Sequence, residues 1–388
     1  MSAVACYEEQ ALPHRKVIIV CGAGSVSGKE IVSLLLASGL RDAGVNVEFV
    51  TSQWSDGEFV RRLELNGFKY RQLRLGFISV SLQVKPLMMT LDQFRFLPIL
   101  IYRYTRFIRA AAPQTVIHTN WHHALLLLPF LDRHRDIFWV HEVFPNVPHY
   151  GQMLRAIAKR VGRIVCVSHA VARSVIALGV PISQVTVIHN GLLPVNLKPV
   201  SIDQTELQLG IVGQVGAWKG HDDLLDALAL LARDGVRPKL KIFGTGNFEY
   251  IESLKQKAIH LNLNDQIEWC GFVSDQLKIF SNINLCIVPS RSEDPLPTAA
   301  LEAGAFGRPV VGSSSGGLPE IVEPGVSGLL VRPRCPDQLA QAIRKFACQP
   351  KLLGTMGEAA QRRVRAEFSL SSFVSRFIGV IEEITVRQ

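Results

Sequence analysis

Two series of short apolar runs, each run followed by a segment of helical periodicity, constrain this chain more than any other feature of its sequence. Strands buried on both faces read as near-continuous apolar runs, and crossover helices supply the periodicity between them. Such alternation points to doubly wound α/β domains. The first series opens at residues 16–21 (KVIIVC), continues through 46–51, 115–119, 137–141 and 163–168, and closes at 184–189 (QVTVIH). Its first helix is expected over 30–43, where Ile31, Leu34, Leu35 and Ala43 keep helical spacing. Residues 190–205 hold two prolines and little periodicity, which marks a linker. The second series places strands at 207–212, 239–243, 266–269, 285–289 and 309–312, with helices over 222–232, 250–261, 274–280 and 298–306. Beyond it, residues 370–385 carry Phe373, Val374, Phe377, Ile378 and Ile381 as a helical stripe that must cover something.

The 388 residues suit two domains, at ~100–200 residues each. Apolar residues make up 48% and charged residues 19%, which permits a large core and excludes global disorder. The seven cysteines form no CxxC and no paired spacing, so a disulfide scaffold and a cysteine zinc site are excluded and a reducing compartment fits. No uncharged apolar stretch reaches ~18 residues, so no membrane-spanning helix is expected. The opening MSAVACYEEQALPHRK does not read as a secretory signal. The net charge of +9 is uneven: residues 1–198 hold 22 Lys and Arg against 12 Asp and Glu (+10), residues 199–388 hold 20 against 21 (−1). No acid occurs from 143 to 198. A basic front half suggests an anionic partner, whether nucleic acid, membrane surface or phosphorylated substrate; a merely basic surface is the plainer alternative.

Parallel sheets hold their ligands at strand carboxyl ends, and a cleft between two such domains, if they face each other, is the default site. Three stretches stand at those ends. In GAGSVSGKE (22–30), Gly22 and Gly24 would let backbone N–H groups approach an anion at a helix start; a plain strand-to-helix turn reads equally well. The stretch is neither a Walker A loop nor a good GxGxxG. GQVGAWKGHDDLLDAL (213–228) puts Lys219 just before a helix, where it can neutralise a departing phosphate; a solvated loop lysine is the alternative. His221, Asp222 and Asp223 read as helix capping rather than metal ligands. In PSRSEDPLPTAALEAGAFGRPVV (289–311), a loop with Glu293 and Asp294 precedes a helix whose first position suits Pro297. The N–H groups near Thr298 and Ala299 would then face a ligand, and Glu302 lies about one turn in. Taken alone, these carboxylates read as solvated acids around a capped helix. Gly316 and Gly317 add a loop at the same edge.

In order along the chain, GQVGAWKG, LKIFGTGN, IEWCGFVSD, the 289–311 stretch, GGLPEIVEPGVSGLLV and PDQLAQAI resemble the donor half of the retaining GT-B glycosyltransferases of family 4. The glycine loop at 22–25, VSHAVARSVIALGV and VTVIHNGL resemble the companion half. The resemblance implies two Rossmann-like doubly wound domains facing an interdomain cleft. It gives an acceptor domain over 1–198, a donor domain over 199–368, and a helix over 369–388 crossing back to the first domain. It implies transfer of a sugar from a nucleotide sugar with retention of configuration and no metal or other cofactor. The family's Glu-x7-Glu pair falls on Asp294, for the transferred sugar, and Glu302, for the ribose; Glu293 could partly stand in for the shortened first carboxylate. The family's cation pair reads Gln214 and Lys219, and its loop glycine is Pro297, which donates no N–H. Gly244, Phe272 and Val273 complete the donor contacts. His141 is the candidate histidine for the donor sugar, with His118, His122 and His123 as alternatives of structural or acceptor-side role.

The expected mechanism aligns acceptor and donor by domain closure, and the leaving phosphate oxygen accepts the acceptor proton. Residues 86–112 combine apolar, aromatic and basic residues, and 152–163 adds Arg155, Lys159, Arg160 and Arg163, which together suit a cytoplasmic protein resting on an anionic membrane and a lipid-linked glycan acceptor. The apolar positions of 86–112, taken by themselves, read as ordinary core. Cell-surface polysaccharide, lipopolysaccharide or glycolipid assembly is the expected setting. A nucleotide-sugar 2-epimerase of the same fold and a binding protein that has lost catalysis are the alternatives. No nucleic-acid recognition motif accompanies the charge.

Overall fold

The computed structural model describes residues 15–22, 24, 26–78, 84–193 and 206–386. The chain divides into two compact units, Met1–Gly191 with Leu370–Gln388, and Leu192–Ser369. The expected linker lies mostly outside the described residues, as does the expected boundary at 198/199, Ser25 of the glycine loop, and most of the N-terminal segment.

In the first unit β1 (Lys16–Val20), β2 (Asn46–Ser52), β3 (Lys69–Leu73), β4 (Thr115–His118), β5 (Asp136–Val140), β6 (Arg163–Cys166) and β7 (Val185–Val187) form one sheet. Its order is β3-β2-β1-β4-β5-β6-β7, and every pairing is parallel. The helices between are α1 (Gly28–Asp42), α2 (Glu58–Leu65), α3 (Val84–Arg95), α4 (Leu97–Ala111), α5 (Trp121–Leu126), α6 (Pro148–Ala158) and α7 (His169–Ala177). The strands at the centre are buried, β4, β5 and β6 from end to end and β1 from Val17 on, as their apolar runs require. The edge strand β3, KYRQL, escapes a hydropathy reading because only Leu73 is buried.

In the second unit β8 (Gln208–Val212), β9 (Lys239–Phe243), β10 (Ile267–Gly271), β11 (Leu285–Val288), β12 (Val310–Ser313) and β13 (Gly328–Val331) form a parallel sheet of order β10-β9-β8-β11-β12-β13. Its helices are α8 (His221–Arg233), α9 (Phe248–His260), α10 (Gln276–Phe280), α11 (Thr298–Ala305), α12 (Leu318–Ile321), α13 (Pro336–Cys348) and α14 (Lys351–Glu367). Leu209, Ile211, Leu240 and Ile287 of the strands bury against Leu224 and Leu228 of α8 and Ile343 and Phe346 of α13.

The last helix, α15 (Leu370–Val386), belongs to the first unit. Its stripe covers two surfaces. Phe373 packs at a tilt and Phe377 edge-on against Trp139, with ring centroids 5.8 and 4.8 Å away. Val374 seats against α1 at Gly39, where a Cβ would come within 2.3 Å of Val374 Cγ2. Arg163 pairs with Glu383 on the same helix. No helix among the described residues is long and apolar enough to cross a membrane.

Candidate functional site

In the second unit the winding of the sheet reverses between β8 and β11, which lie side by side. Open parallel sheets bind ligands outside the strand carboxyl ends at such a point. The chain leaving β8 makes a single 3-10 turn at Ala217–Lys219 and enters α8. The chain leaving β11 passes Asp294 and enters α11. Lys219 Nζ stands 2.6 Å from Asp294 Oδ2 and 4.2 Å from the centre of the Trp218 ring. Asp294 is buried and Lys219 half-buried. The lysine is therefore no solvated loop residue, and Asp294 is no solvated acid. A charge pair shielded in this way interacts more strongly than an exposed one.

Pro297 sits one position ahead of the helical position expected for it. Its ψ of 106° is extended, so it is the cap residue and α11 begins at Thr298. No side chain caps this helix and no acid lies in its first turn. The first N–H groups of a helix have no partner within it and lie at the positive end of its dipole. Thr298 and Ala299, both half-buried, thus present N–H groups four and five residues beyond Asp294. Glu302 follows one turn in. Its residue keeps some contact with solvent, yet burial of the carboxyl pushes its pKa up to about 7, against a hydrogen bond with Gln276 that lowers it. Glu293 is exposed.

Neighbouring loops are knitted to this edge. Gly317 N–H donates to Asp294 C=O at 2.8 Å. Gly244, at φ +145°, passes so close to β8's exit that a Cβ would lie 1.8 Å from Gly213 O. Its own N–H donates to Gly271 C=O at 2.7 Å. Gly244 therefore closes the loops together, and its N–H is taken within the chain. Phe272, exposed, and Val273, half-buried, follow β10 directly, and Gln214 is exposed beside β8.

Arg291 is a participant that the sequence reading did not single out. It donates to both carboxylate oxygens of Asp223, at 2.8 and 2.6 Å, while its N–H reaches Trp218 C=O at 2.8 Å. Asp222 accepts from Tyr250 Oη at 2.7 Å. Of the expected capping by His221, Asp222 and Asp223, the two aspartates do lie in the first turn of α8, but Gly220 is the cap residue, no side-chain cap bond forms, and both aspartates also bond to other elements. Arg291 and Asp223 stand 68 residues apart, so no local spacing announces the pair.

The glycine loop of the first unit is a different structure. Gly22, at φ +94°, has its C=O taken by Ser52 N–H, and Gly24 donates its N–H to Trp54 C=O at 2.8 Å. Ser27 N–H and hydroxyl both donate to the buried Glu30 carboxylate, a capping box at the start of α1. The anion anticipated at this helix start is the chain's own Glu30. Gly24 has no N–H to give a donor, and Gly22 serves the turn.

His141 follows β5. Burial holds its imidazole well below the usual pKa, so it is neutral, and Nε2 has no partner among the described residues. Its ring lies 4.3 Å from that of Trp139. The alternatives are structural: His118 Nε2 meets Asp136 Oδ1 at 2.6 Å in the core, and His122 Nδ1 accepts from Ile78 N–H at 3.0 Å. His123 is fully buried and likewise held neutral by burial.

Two family models match the chain in tandem: Glycosyltransferase Family 4 over residues 26–193 and Glycosyl transferases group 1 over 195–363. An uncharacterised glycosyltransferase of Methanocaldococcus jannaschii is 32% identical over 199 residues, 47% of this chain and 50% of that one. A D-inositol 3-phosphate glycosyltransferase of Segniliparus rotundus is 34% identical over 164 residues, 41% of this chain and 36% of that one. The chain spans half or less of these curated relatives. Among solved structures, Anabaena HepE in complex with UDP superposes with a TM-score of 0.78 at 19% identity, covering 95% of this chain and 100% of its own. Sucrose-phosphate synthase of Thermosynechococcus elongatus gives 0.78 at 18%, covering 97% and 100%. At such identity the likeness is one of fold, two Rossmann-like parallel-sheet domains of GT-B type.

Proposed function

We propose that this chain, which belongs to the family 4 glycosyltransferases of GT-B fold, moves a sugar from a nucleotide sugar to a glycan or lipid-linked acceptor with retention of configuration. One observation carries the reading: on the loop leaving β8 at the sheet's switch point, Lys219 Nζ stands 2.6 Å from buried Asp294, which lies four residues ahead of the uncapped start of α11. When the bond from sugar to diphosphate breaks, negative charge grows on the leaving oxygen. A fixed ammonium and aligned N–H groups stabilise that charge without reorganising. In this reading Lys219 and the N–H groups of Thr298 and Ala299 hold the diphosphate. Asp294 orients the ammonium and accepts hydrogen bonds from the transferred sugar. Glu302 binds the ribose hydroxyls, and Phe272 and Val273 border the base.

Retention follows if the acceptor oxygen bonds to the sugar carbon on the face from which the diphosphate leaves. The carbon–oxygen bond to phosphate breaks, and the acceptor proton passes to the freed phosphate oxygen. In the first unit, the neutral His141 can accept from a sugar hydroxyl. Cell-surface polysaccharide or glycolipid assembly remains the proposed setting. Uridine diphosphate sugars are the first donors to try, because Anabaena HepE has been solved with UDP and with UDP-glucose.

The test is a thermal-shift series with UDP-, GDP- and ADP-sugars, since a ligand that binds only the folded chain raises its melting point. One nucleotide class should stabilise the protein, and Lys219→Ala should lose most of that gain. Equal stabilisation of the variant, or none by any nucleotide, would refute the reading.

A further inference from the structure

Helices α3 and α4 of the first unit carry an outward face that a water-bathed surface does not explain. On α3 the inward residues are polar: Thr90 and Gln93 are buried, and Gln93 joins Gly76 N–H at 2.8 Å to Arg74 C=O at 3.0 Å. The outward residues are apolar. Leu87, Met88, Leu91 and Phe94 recur every three or four positions and are 39–65% exposed. This reverses the usual arrangement of a surface helix. On α4, Leu100, Tyr104, Phe107 and Ile108 are buried in the ordinary way. Its opposite face turns out Ile99 and Tyr102, then Arg103, Arg106 and Arg109. The expectation that the apolar positions of 86–112 form ordinary core is thus corrected for half of them.

The charge on this face has one sign. Among the described residues of both helices the only acid is Asp92, and Arg74 takes it at 3.1 Å. A shallow groove of about 740 Å³ runs along α4 past Tyr102, Arg106 and Arg109. Contiguous exposed apolar surface marks an interaction site. The arginines decide the partner. A second copy of the chain would set arginine against arginine, and a nucleic acid has no use for Leu91 or Phe94. An anionic lipid surface satisfies both halves of the face, apolar side chains in the acyl boundary and guanidinium groups on the phosphates.

We propose that the outward face of α3 and α4 seats this protein on the surface of an anionic bilayer, with Leu91, Phe94, Ile99 and Tyr102 entering the headgroup boundary and Arg103, Arg106 and Arg109 pairing with lipid phosphates. The inference stands apart from the sugar-transfer reading; where both hold, it favours a lipid-linked acceptor.

Flotation of the full chain with phosphatidylcholine vesicles, with and without phosphatidylglycerol, tests it. Binding should require the anionic lipid and weaken in about 1 M salt, where the screening length falls to about 3 Å. Arg103→Gln with Arg106→Gln should lower vesicle affinity about 30-fold, at about 1 kcal/mol per arginine. Leu91→Ser with Phe94→Ser should lower it as well, including in high salt. These residues are exposed, so melting temperature and nucleotide stabilisation should hold in both variants, which separates failure here from failure of the transferase reading. Equal binding to neutral vesicles, no binding at low salt, or unchanged binding by the arginine variant would overturn the proposal. So would a dimer dispersed by Phe94→Ser that binds no lipid.

Discussion

Two helix starts, α1 in the first unit and α11 in the second, follow parallel strands next to a topological reversal, yet their electrostatics are opposite. At α1 the loop is rich in glycine, and the positive end of the helix is filled by buried Glu30 and closed by Ser27. At α11 the loop ends in proline, no side chain caps the helix, and Asp294, four residues ahead of it, holds Lys219 in an ion pair. A glycine loop announces that backbone can approach something, and here that something is the chain itself. A helix start with no capping side chain and no acid in its first turn leaves its positive end without a charge of its own to meet. The second is the better marker of an anion site.

The sharpest way to break this contrast is Lys219→Ala. Turnover should fall by a factor on the order of 10²–10³, as for removal of one preorganised electrostatic partner; near-normal turnover with any accepted donor would erase the distinction. Next is Glu30→Ala at α1. Loss of the capping box should cost about 1–2 kcal/mol in chemical denaturation while nucleotide affinity stays put. A change in affinity without a change in stability would move the donor site toward α1. The smallest expected effect is on Glu302 in α11. Burial raises its folded-state pKa from 4.5 to about 7, so the carboxyl's contribution to stability is complete below 4.5 and is lost as pH rises through about 7. Glu302→Gln should therefore gain melting temperature over the parent between about pH 5 and about pH 8. The gain should be about 2–4 °C, the equivalent of about 1 kcal/mol, because the residue retains some solvent contact. A gain of the same size at both pH values would mean that burial does not control this carboxyl.

Where the sequence reading succeeded and where it failed has a common cause. The central strands and α15 were legible because burial on both faces, or along one stripe, leaves a period in the hydropathy. Strand β3 was not, since as an edge strand it buries only Leu73. On α3 the apolar content was visible but its direction was not: sequence alone does not say that Leu87, Met88, Leu91 and Phe94 face solvent while Thr90 and Gln93 face inward. Of the candidate site, Lys219, Asp294 and Glu302 were found through motif order. Arg291 was missed, and the partners of the Gly24 and Gly244 N–H groups were not legible, because these hydrogen bonds run to residues distant in the chain.

By itself, then, the amino-acid order determined the α/β alternation, the two-domain division and the short list of polar residues at strand ends. Period and turn chemistry are local, and each is written within a dozen neighbouring residues. Only tertiary structure decided that Lys219 meets Asp294, that Glu30 closes the glycine loop and that an apolar stripe lies open beside arginines. Those outcomes depend on which strands become neighbours in a sheet, a choice settled by packing over the whole domain.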